Sequence, residues 1–237
     1  MRRVHYSLMI VLFITGQIFG QVPTINSKAW ITNGRNFDVD IANDKIYVIS
    51  NHYYELDLGG TISYTNSNID DTGQGVFDFG PAIEVGSDGV VHLINRDGGT
   101  GPDGFNLMYS KRESNGTWSV ENKLVGSPLA RNYVVDVVAM DGGEAVYAHT
   151  RLTPSADPDY VWGSVYFYKL NGSSVDPWGD FGSSSYYRVD ADFRMERYQG
   201  KLHVATGVPD QWGYVYYMKA DIGTTMPSDL ASSASVV

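Results

Sequence analysis

A strand–turn–strand pattern that recurs four times limits the folds open to this chain more than any other feature. The second strand of each copy carries a tyrosine or histidine, at positions 47, 92, 147 and 203, so the copies are spaced by 45, 55 and 56 residues. The turns between the strands are Asn43-Asp44, Asp88-Gly89, Asp141-Gly142-Gly143 and Gln199-Gly200. Asn, Asp and Gly at such positions are typical of hairpins. The repeat therefore indicates a fold assembled from one supersecondary unit.

Further strands follow the hairpin. The segment 162–169 matches 212–219 position by position, and 107–111 fits the same column, so a lysine recurs at 111, 169 and 219. A fourth strand follows the second copy, at 117–120. Four antiparallel strands in a repeat of about 40–60 residues are typical of a β-propeller blade. We therefore predict an all-β propeller with about four blades, in repeats at about 28–78, 79–130, 131–187 and 188–222.

Composition narrows the class of protein. The chain has 237 residues, enough for one β domain with a sizeable core. Cysteine is absent, which excludes disulfide scaffolds, zinc fingers and thiolate enzymes. The formal net charge of −10 disfavours nucleic-acid binding, which requires the neutralisation of phosphates.

The first 20 residues have the layout of a secretory signal peptide. Arg2 and Arg3 precede the apolar stretch 8–14, and Gly20 offers a small residue for cleavage. The stretch is shorter than the ~20 apolar residues of a membrane span, and no later segment could cross a membrane. We expect a secreted or periplasmic protein whose propeller domain covers 21–237.

The two ends of the propeller region leave its closure open. The segment 228–237 is small and polar and contains no clear closing strand. Either the segment 29–32 closes a small ring as the outer strand of the last blade, or the chain is a fragment of a six- or seven-bladed ring. We favour the fragment, although an open arc exposes sheet edges.

The second repeat carries a resemblance to known propellers. Its segments 88–93, 107–110 and 116–119 resemble blades of sialidase-like, BNR-type propellers and of propeller polysaccharide lyases such as the ulvan lyases. The Asp-box of sialidases is shortened here, at 114–118, and lacks its aspartate. The resemblance implies an enzyme that acts on carbohydrate, with a polysaccharide or oligosaccharide as its partner.

The geometry of a propeller blade predicts where a ligand site would lie. The first strand of each blade lines the central channel of a propeller, and ligands usually bind at one rim of that channel. The first strands begin with Asp38, Pro81, Asp136 and Asp192. In the third repeat Tyr147, His149 and Arg151 alternate and so share one face of a strand. His92 and Arg96 share the matching face of the preceding blade.

This group suits β-elimination on a uronate-containing polysaccharide. An arginine would neutralise the substrate carboxylate, and a histidine or tyrosine would remove the neighbouring proton. Ulvan lyases use His, Tyr and Arg in this way, so the resemblance suggests similar chemistry here without a match of individual residues. From their shared strand face we predict His149, Tyr147 and Arg151 as the catalytic residues. The alternative is that Tyr147, His92 and His203 pack between blades and that the arginines pair with aspartates.

Other functions stay open. A glycoside hydrolase would use paired carboxylates, for which Asp136 and Asp192 are candidates. A glycan-binding module would use aromatic residues such as Trp162 and Trp212, although these also suit blade packing. A purely structural propeller is a third possibility.

We expect no required cofactor, with calcium at Asp97 and Asp103 as a weak alternative. The residues assigned to substrate binding are Arg96, His92, Asp136, Asp192, Trp162 and Trp212.

Overall fold

The structure is a computed structural model. It describes residues 37–50, 52–69, 81–97, 106–118, 122–125, 131–154, 161–172, 174–181, 193–208, 214–221 and 235–236. In these ranges the chain forms strands and turns, with one short 3-10 turn at Asp141–Gly143.

The strands are grouped into four sheets, one for each repeat. Blade 1 contains β1 (Asp38–Ala42), β2 (Lys45–Ile49), β3 (Tyr53–Asp57) and β4 (Ile62–Asn66). Blade 2 contains β5 (Ala82–Val85), β6 (Val91–Asp97), β7 (Asn106–Arg112) and β8 (Asn122–Val125). Blade 3 contains β9 (Arg131–Ala139), β10 (Ala145–Pro154), β11 (Val161–Asn171) and β12 (Ser174–Phe181). Blade 4 contains β13 (Phe193–Tyr198), β14 (Lys201–Val208), β15 (Tyr214–Asp221) and β16 (Ser235–Val236).

Within each blade the strands pair antiparallel in chain order. The first strands of successive blades contact one another, β1 with β5, β5 with β9 and β9 with β13. Four meandering sheets whose first strands meet around a common axis are the blades of a β-propeller. The predicted all-β propeller fold is therefore confirmed.

Turn chemistry explains the inner hairpins. In blade 1, Asn43 and Asp44 have φ of 50° and 59°, and in blade 4, Gln199 and Gly200 have φ of 51° and 73°. Positive φ at both central residues is the type I′ geometry that suits two-residue hairpins. Blades 2 and 3 instead use three-residue turns, closed by the Gly86–Val90 and Met140–Glu144 backbone hydrogen bonds.

The core lies between the blades. Blades 1 and 2 pack Tyr47, Ile49 and Tyr53 against Ile83, Val85, Val91 and Leu93. Blades 2 and 3 pack Ala82, Ile94, Leu107 and Tyr109 against Val135, Val137, Tyr147 and Leu170. Blades 3 and 4 pack Val138, Val146, Ala148, Val165 and Phe167 against Met195, Leu202, Val204 and Met218. Alternate residues of each strand thus face opposite neighbours.

A buried ion pair crosses the first of these interfaces. The Glu55 carboxylate, whose side chain is 2% exposed, lies 3.0 Å from Arg112 of blade 2 and 3.0 Å from Lys45. It also accepts a hydrogen bond from the Tyr53 hydroxyl at 3.0 Å. The Arg112 guanidinium lies over the Tyr64 ring, 4.9 Å from its centroid. Both charges are therefore compensated inside the interface.

The outer strand of blade 4 is β16, which pairs with Tyr216 and Tyr217 of β15. The sequence predicts no closing strand in this segment and leaves 29–32 as the alternative, which lies outside the described residues, as does the predicted signal peptide. The choice between a small ring and a fragment of a larger one stays a prediction. No helix in the described part of the chain is long and apolar enough to cross a membrane.

Candidate active site at the propeller axis

Strand register places charged residues of all four first strands around the axis. The first column, in positions that face the following blade, holds Asp38, Ala82, Asp136 and Arg194. The second column, two residues closer to the hairpin, holds Asp40, Glu84, Val138 and Glu196. Acidic side chains therefore dominate the axis, with one arginine among them.

Three of these carboxylates bind the backbone of the next blade. Asp38 Oδ2 accepts a hydrogen bond from the Ile83 N–H at 2.9 Å, and Asp40 Oδ2 accepts one from Val85 at 2.6 Å. Asp136 Oδ2 accepts one from Met195 at 2.6 Å. The inner edge of a first strand has unpaired N–H groups, and these aspartates satisfy them.

The contact between blades 2 and 3 lacks such a link in the first column. Blade 2 has Ala82 where blades 1 and 3 have an aspartate, so it offers no carboxylate to the Val137 N–H. Asp136 of blade 3 supplies the acceptor instead, because its Oδ1 accepts a hydrogen bond from the Val137 N–H at 3.0 Å. One buried aspartate therefore serves two N–H groups in different blades.

Glu84 is the carboxyl group that differs from this pattern. It is half-buried, and the largest influences on its pKa all act in one direction. Burial contributes most, followed by the negative charges of Asp40, Glu196, Asp136 and Asp38, and together they raise the pKa of Glu84 to about 8. Glu84 is therefore protonated at neutral pH and can donate a proton.

Asp136 has a raised pKa for a related reason. Burial is the largest cause and raises the pKa of Asp136 to about 7, although the Met195 N–H and the charge of Arg194 oppose the shift. Burial likewise raises the pKa of Asp38, against the hydrogen bond from Ile83. The axis therefore gathers several carboxyl groups that titrate above their ordinary range.

Tyr147 and His149, two of the predicted catalytic residues, lie inside the interface between blades 2 and 3. They are 0% and 1% exposed, and their rings stack at 5.7 Å. The His149 ring also stacks on Tyr166 at 5.9 Å and on Tyr168 at 5.4 Å. The two side chains are thus brought together as predicted from their alternation, but in an aromatic stack away from solvent.

The repeat alignment is corrected in blade 3. Lys111, Lys169 and Lys219 lie directly across from His92, Val146 and His203. Val146, rather than Tyr147, is therefore the blade 3 counterpart of His92 and His203. A register error of one residue moves a side chain to the opposite face, so Tyr147 faces blade 2 where His92 faces blade 3.

His92 lies on the face of blade 2 that is turned toward Tyr147 of blade 3. It is 0% exposed, and its Nδ1 is 2.8 Å from the Tyr109 hydroxyl. Burial lowers the pKa of His92 to about 4, with a smaller contribution from Lys111. No described residue hydrogen-bonds its Nε2 or the Tyr147 hydroxyl. Burial also raises the pKa of Tyr147.

Several predicted residues cannot be assigned a contact. The backbones of Arg96, Asp97, Arg151 and Trp162 lie in strands, but their side chains are outside the described part of the structure. Asp103, Asp192 and Trp212 lie outside the described residues altogether. The calcium alternative at Asp97 and Asp103 and the pairing of Asp136 with Asp192 remain predictions. Among the described residues, no group of three His, Asp or Glu side chains is arranged to hold a metal ion.

Asp40 and Glu84 are not among the site residues predicted from the sequence. Asp40 lies two residues closer to the hairpin than the predicted position Asp38, and Glu84 lies three residues closer than the predicted position Pro81. Both lie directly across from the recurring aromatic position, Asp40 from Tyr47 and Glu84 from His92. That pairing was the signal that could have identified them.

Comparisons with known proteins show similarity in fold. No family model and no curated protein matches the chain. A thermostable family-43 glycoside hydrolase matches at a TM-score of 0.46 and 13% identity, over 81% of this chain and 72% of that one. A GH43_12 protein retrieved from capybara gut metagenome matches at 0.45 and 15%, over 86% of this chain and 42% of that one. A family 117 glycoside hydrolase from the marine bacterium Zobellia galactanivorans matches at 0.37 and 17%, over 60% and 51%.

These structures are glycoside hydrolases rather than sialidase-like propellers or ulvan lyases. At this level of similarity they do not decide the activity of this chain. The specific resemblance stated from the second repeat stays a prediction.

Proposed function

We propose that this chain is an exported, carbohydrate-active propeller that hydrolyses glycosidic bonds at its axis. The observation that carries the proposal is Glu84, a half-buried carboxyl group that faces the charges of Asp40, Asp136 and Glu196. Glycoside hydrolysis requires one carboxyl group that is protonated at the working pH and a second that is ionised. The axis provides candidates for both.

Glu84 is the proposed general acid, which protonates the glycosidic oxygen as its bond to the anomeric carbon breaks, and water supplies the oxygen that replaces it at that carbon and gives up a proton. Asp40 is the proposed second carboxylate, because its charge raises the pKa of Glu84 more than any other. Backbone N–H groups of Ile41 and Val85 orient the Asp40 carboxylate, each at 2.6 Å. Such orientation favours a group that must act on a bound sugar without rearrangement.

The lyase hypothesis has less support than the hydrolase. Tyr147 and His149 have almost no exposed surface, so a polymer could not reach them without an opening of the blade 2–blade 3 interface. Export rests on the predicted signal peptide at 1–20.

The test is the release of reducing sugar from a panel of neutral and acidic polysaccharides by the purified chain. Glu84→Gln should lower the rate by roughly 10²–10⁴-fold, which is the usual contribution of a general acid. Glu113→Gln, in the same blade but paired with Lys111 away from the axis, is the matched control and should keep the activity.

The ultraviolet absorbance of unsaturated uronates is followed in the same reactions. Hydrolysis that survives in Glu84→Gln would contradict the assignment of Glu84. An absorbance rise would instead identify a lyase, and polysaccharide binding without product would identify a glycan-binding module.

A further inference from the structure

His92 is a buried residue that lies directly across from Glu84 in blade 2. The two residues are paired in the register of β5 and β6. Directly opposed residues of an antiparallel pair share one face of the sheet, with Cβ atoms roughly 4.5–5.5 Å apart. His92 is 0% exposed, whereas Glu84 is half-buried at the axis. The proposed acid therefore has an imidazole as its neighbour on the next strand.

A tyrosine holds one side of the His92 ring. Its Nδ1 lies 2.8 Å from the Tyr109 hydroxyl, and the two rings stack with their centroids 6.1 Å apart. The His92 Nε2 has no hydrogen-bond partner among the described residues, although the ring is fully buried. The titratable and charged side chains around the ring are Glu84 on β5, Lys111 on β7, Asp88 in the hairpin turn, and Tyr147 and His149 on blade 3.

Counting donors and acceptors assigns the proton of the His92 ring. If the Tyr109 hydroxyl accepted a hydrogen bond from Nδ1, its own hydrogen and the lone pair of Nε2 would both lack a partner in the described part of the chain. If the hydroxyl donates to Nδ1, only the Nε2–H is left without one. The second arrangement satisfies more of the buried groups. His92 is therefore a neutral N–H donor that has no acceptor among the described residues.

The acid step of glycoside hydrolysis creates an acceptor for this donor. Glu84 is neutral before the step, because it carries the proton that it gives to the glycosidic oxygen. After the step it is a carboxylate in a half-buried position at an acidic axis. A hydrogen bond from a neutral donor stabilises that carboxylate, whereas a lysine or arginine in the same place would ionise Glu84 before the reaction.

We propose that His92 is a positioning residue whose Nε2–H binds the Glu84 carboxylate left after proton transfer, with Tyr109 fixing the orientation of the ring. The inference rests on the proposed function for the role of Glu84. The tautomer of His92 and its hydrogen bond to ionised Glu84 are measurable without any substrate.

The first test is nuclear magnetic resonance of the folded chain, isotope-labelled in its histidine rings and glutamate carboxyl groups. The ring nitrogen shifts of His92 should show a neutral ring with its proton on Nε2 at neutral pH. The Glu84 signal, assigned from Glu84→Gln, is titrated in the same samples. His92→Leu should raise the pKa of Glu84 by about 1, because a hydrogen bond to the charged form is lost. His92→Gln places an amide N–H near the position of Nε2 and should restore most of the wild-type value.

The second test is the pH profile of hydrolysis. His92→Leu should lower kcat roughly tenfold or more, which is the contribution of one hydrogen bond to a charged group, with little change in KM. Its alkaline limb should move to higher pH together with the pKa of Glu84. Tyr109→Phe removes the anchor of the ring but retains its packing, so the same changes should appear at smaller size. This variant decides the question if His92→Leu does not fold.

Blade 4 offers a matched control. His203 lies directly across from Glu196, and its Nδ1 contacts the Tyr217 hydroxyl, as His92 contacts Tyr109. His203→Leu removes the same chemistry next to a different carboxylate. It should leave the titration of Glu84 and the pH profile unchanged.

The outcomes separate the two proposals. A His92 ring with its proton on Nδ1, or equal pKa values of Glu84 in wild type and His92→Leu, would overturn the role of His92 and leave the hydrolase standing. The same holds if His92→Leu loses stability but keeps the wild-type pH profile, because packing alone would explain that result. A raised pKa of Glu84 in a protein that hydrolyses nothing would support the hydrogen bond and overturn the hydrolase.

Discussion

The interface between blades 1 and 2 and the interface between blades 2 and 3 both bury polar groups, but only the first brings opposite charges together, although Arg112 Nε has no hydrogen-bond partner among the described residues. Glu55 has two cations and a tyrosine hydroxyl around it. In the second interface, His92 Nε2 and the Tyr147 hydroxyl have no hydrogen-bond partner among the described residues. The first interface therefore depends on charge pairing, whereas the second buries the neutral groups of His92 and Tyr147 and should respond to protonation.

The largest effect is expected where the pairing is broken. Arg112→Met leaves the buried Glu55 with Lys45 as its one neighbouring cation, and we expect a loss of about 3 kcal/mol in the free energy of unfolding. Urea unfolding followed by circular dichroism measures it. The double variant Arg112→Met with Glu55→Leu removes both charges and should recover most of the loss. A single variant within about 1 kcal/mol of wild type would contradict the role given to this ion pair.

Acid should affect the second interface selectively. The folded protein lowers the pKa of His92 from 6.5 to about 4, so the unfolded chain binds this proton more tightly. The stability contributed by neutral His92 is complete above pH 6.5 and is lost as the pH falls through 4, up to about 3 kcal/mol.

The measurement for His92 is urea unfolding between pH 7 and pH 4, with His92→Gln as the matched control. The axial carboxyl groups titrate in both proteins, so the difference between the two proteins reports His92. Parallel pH profiles would refute the prediction.

Two tyrosines that are both 0% exposed offer a matched pair. Tyr53→Phe removes a donor to the Glu55 carboxylate and should destabilise the chain by about 1.5 kcal/mol. Tyr147→Phe removes a hydroxyl without a described partner and should change stability by less than about 0.5 kcal/mol, or increase it. Thermal unfolding of the two variants side by side decides this, and equal losses would show that the two interfaces do not differ in the way described.

The smallest effect is expected for an ion pair that links blades in solvent. Arg197 of blade 4 contacts Asp141 of blade 3 through two hydrogen bonds, at 2.8 and 2.5 Å. Asp141 is exposed, and exposed pairs are screened by water and salt. Asp141→Asn should leave the thermal midpoint nearly unchanged. A midpoint shift as large as that of Arg112→Met would remove the distinction between buried and exposed links.

The fold could be predicted from sequence because the hairpin turns and the apolar strands repeat. Asn43-Asp44 and Gln199-Gly200 occupy the positive-φ positions that their residue types favour. The register could not be predicted with the same certainty, because two blades use two-residue turns and two use three-residue turns. In blade 3 the true counterpart Val146 is not aromatic, so the neighbouring Tyr147 was matched to the recurring ring instead.

The axial cluster was predicted only in part for the same reason. Asp136 was selected, but Glu84 became a candidate only when its position across from His92 was known. Its raised pKa depends on Asp40 and Glu196, which are far from it in sequence and come near it only through the packing of three blades. Spacing within one repeat contains no information about such a neighbour.

The aspartate links at the axis also restrict how blades could be exchanged among propellers. Each acceptor belongs to an earlier blade and each donor N–H to a later one, as with Asp38 and Ile83 or Asp136 and Met195. A transplanted blade would therefore fit only together with its predecessor, or next to a recipient blade that supplies the missing acceptor. Blade 3 supplies both acceptors itself, because Asp136 accepts the N–H of Val137 in its own blade and the N–H of Met195 in blade 4. Blade 3 is therefore the natural junction for recombination or for circular permutation.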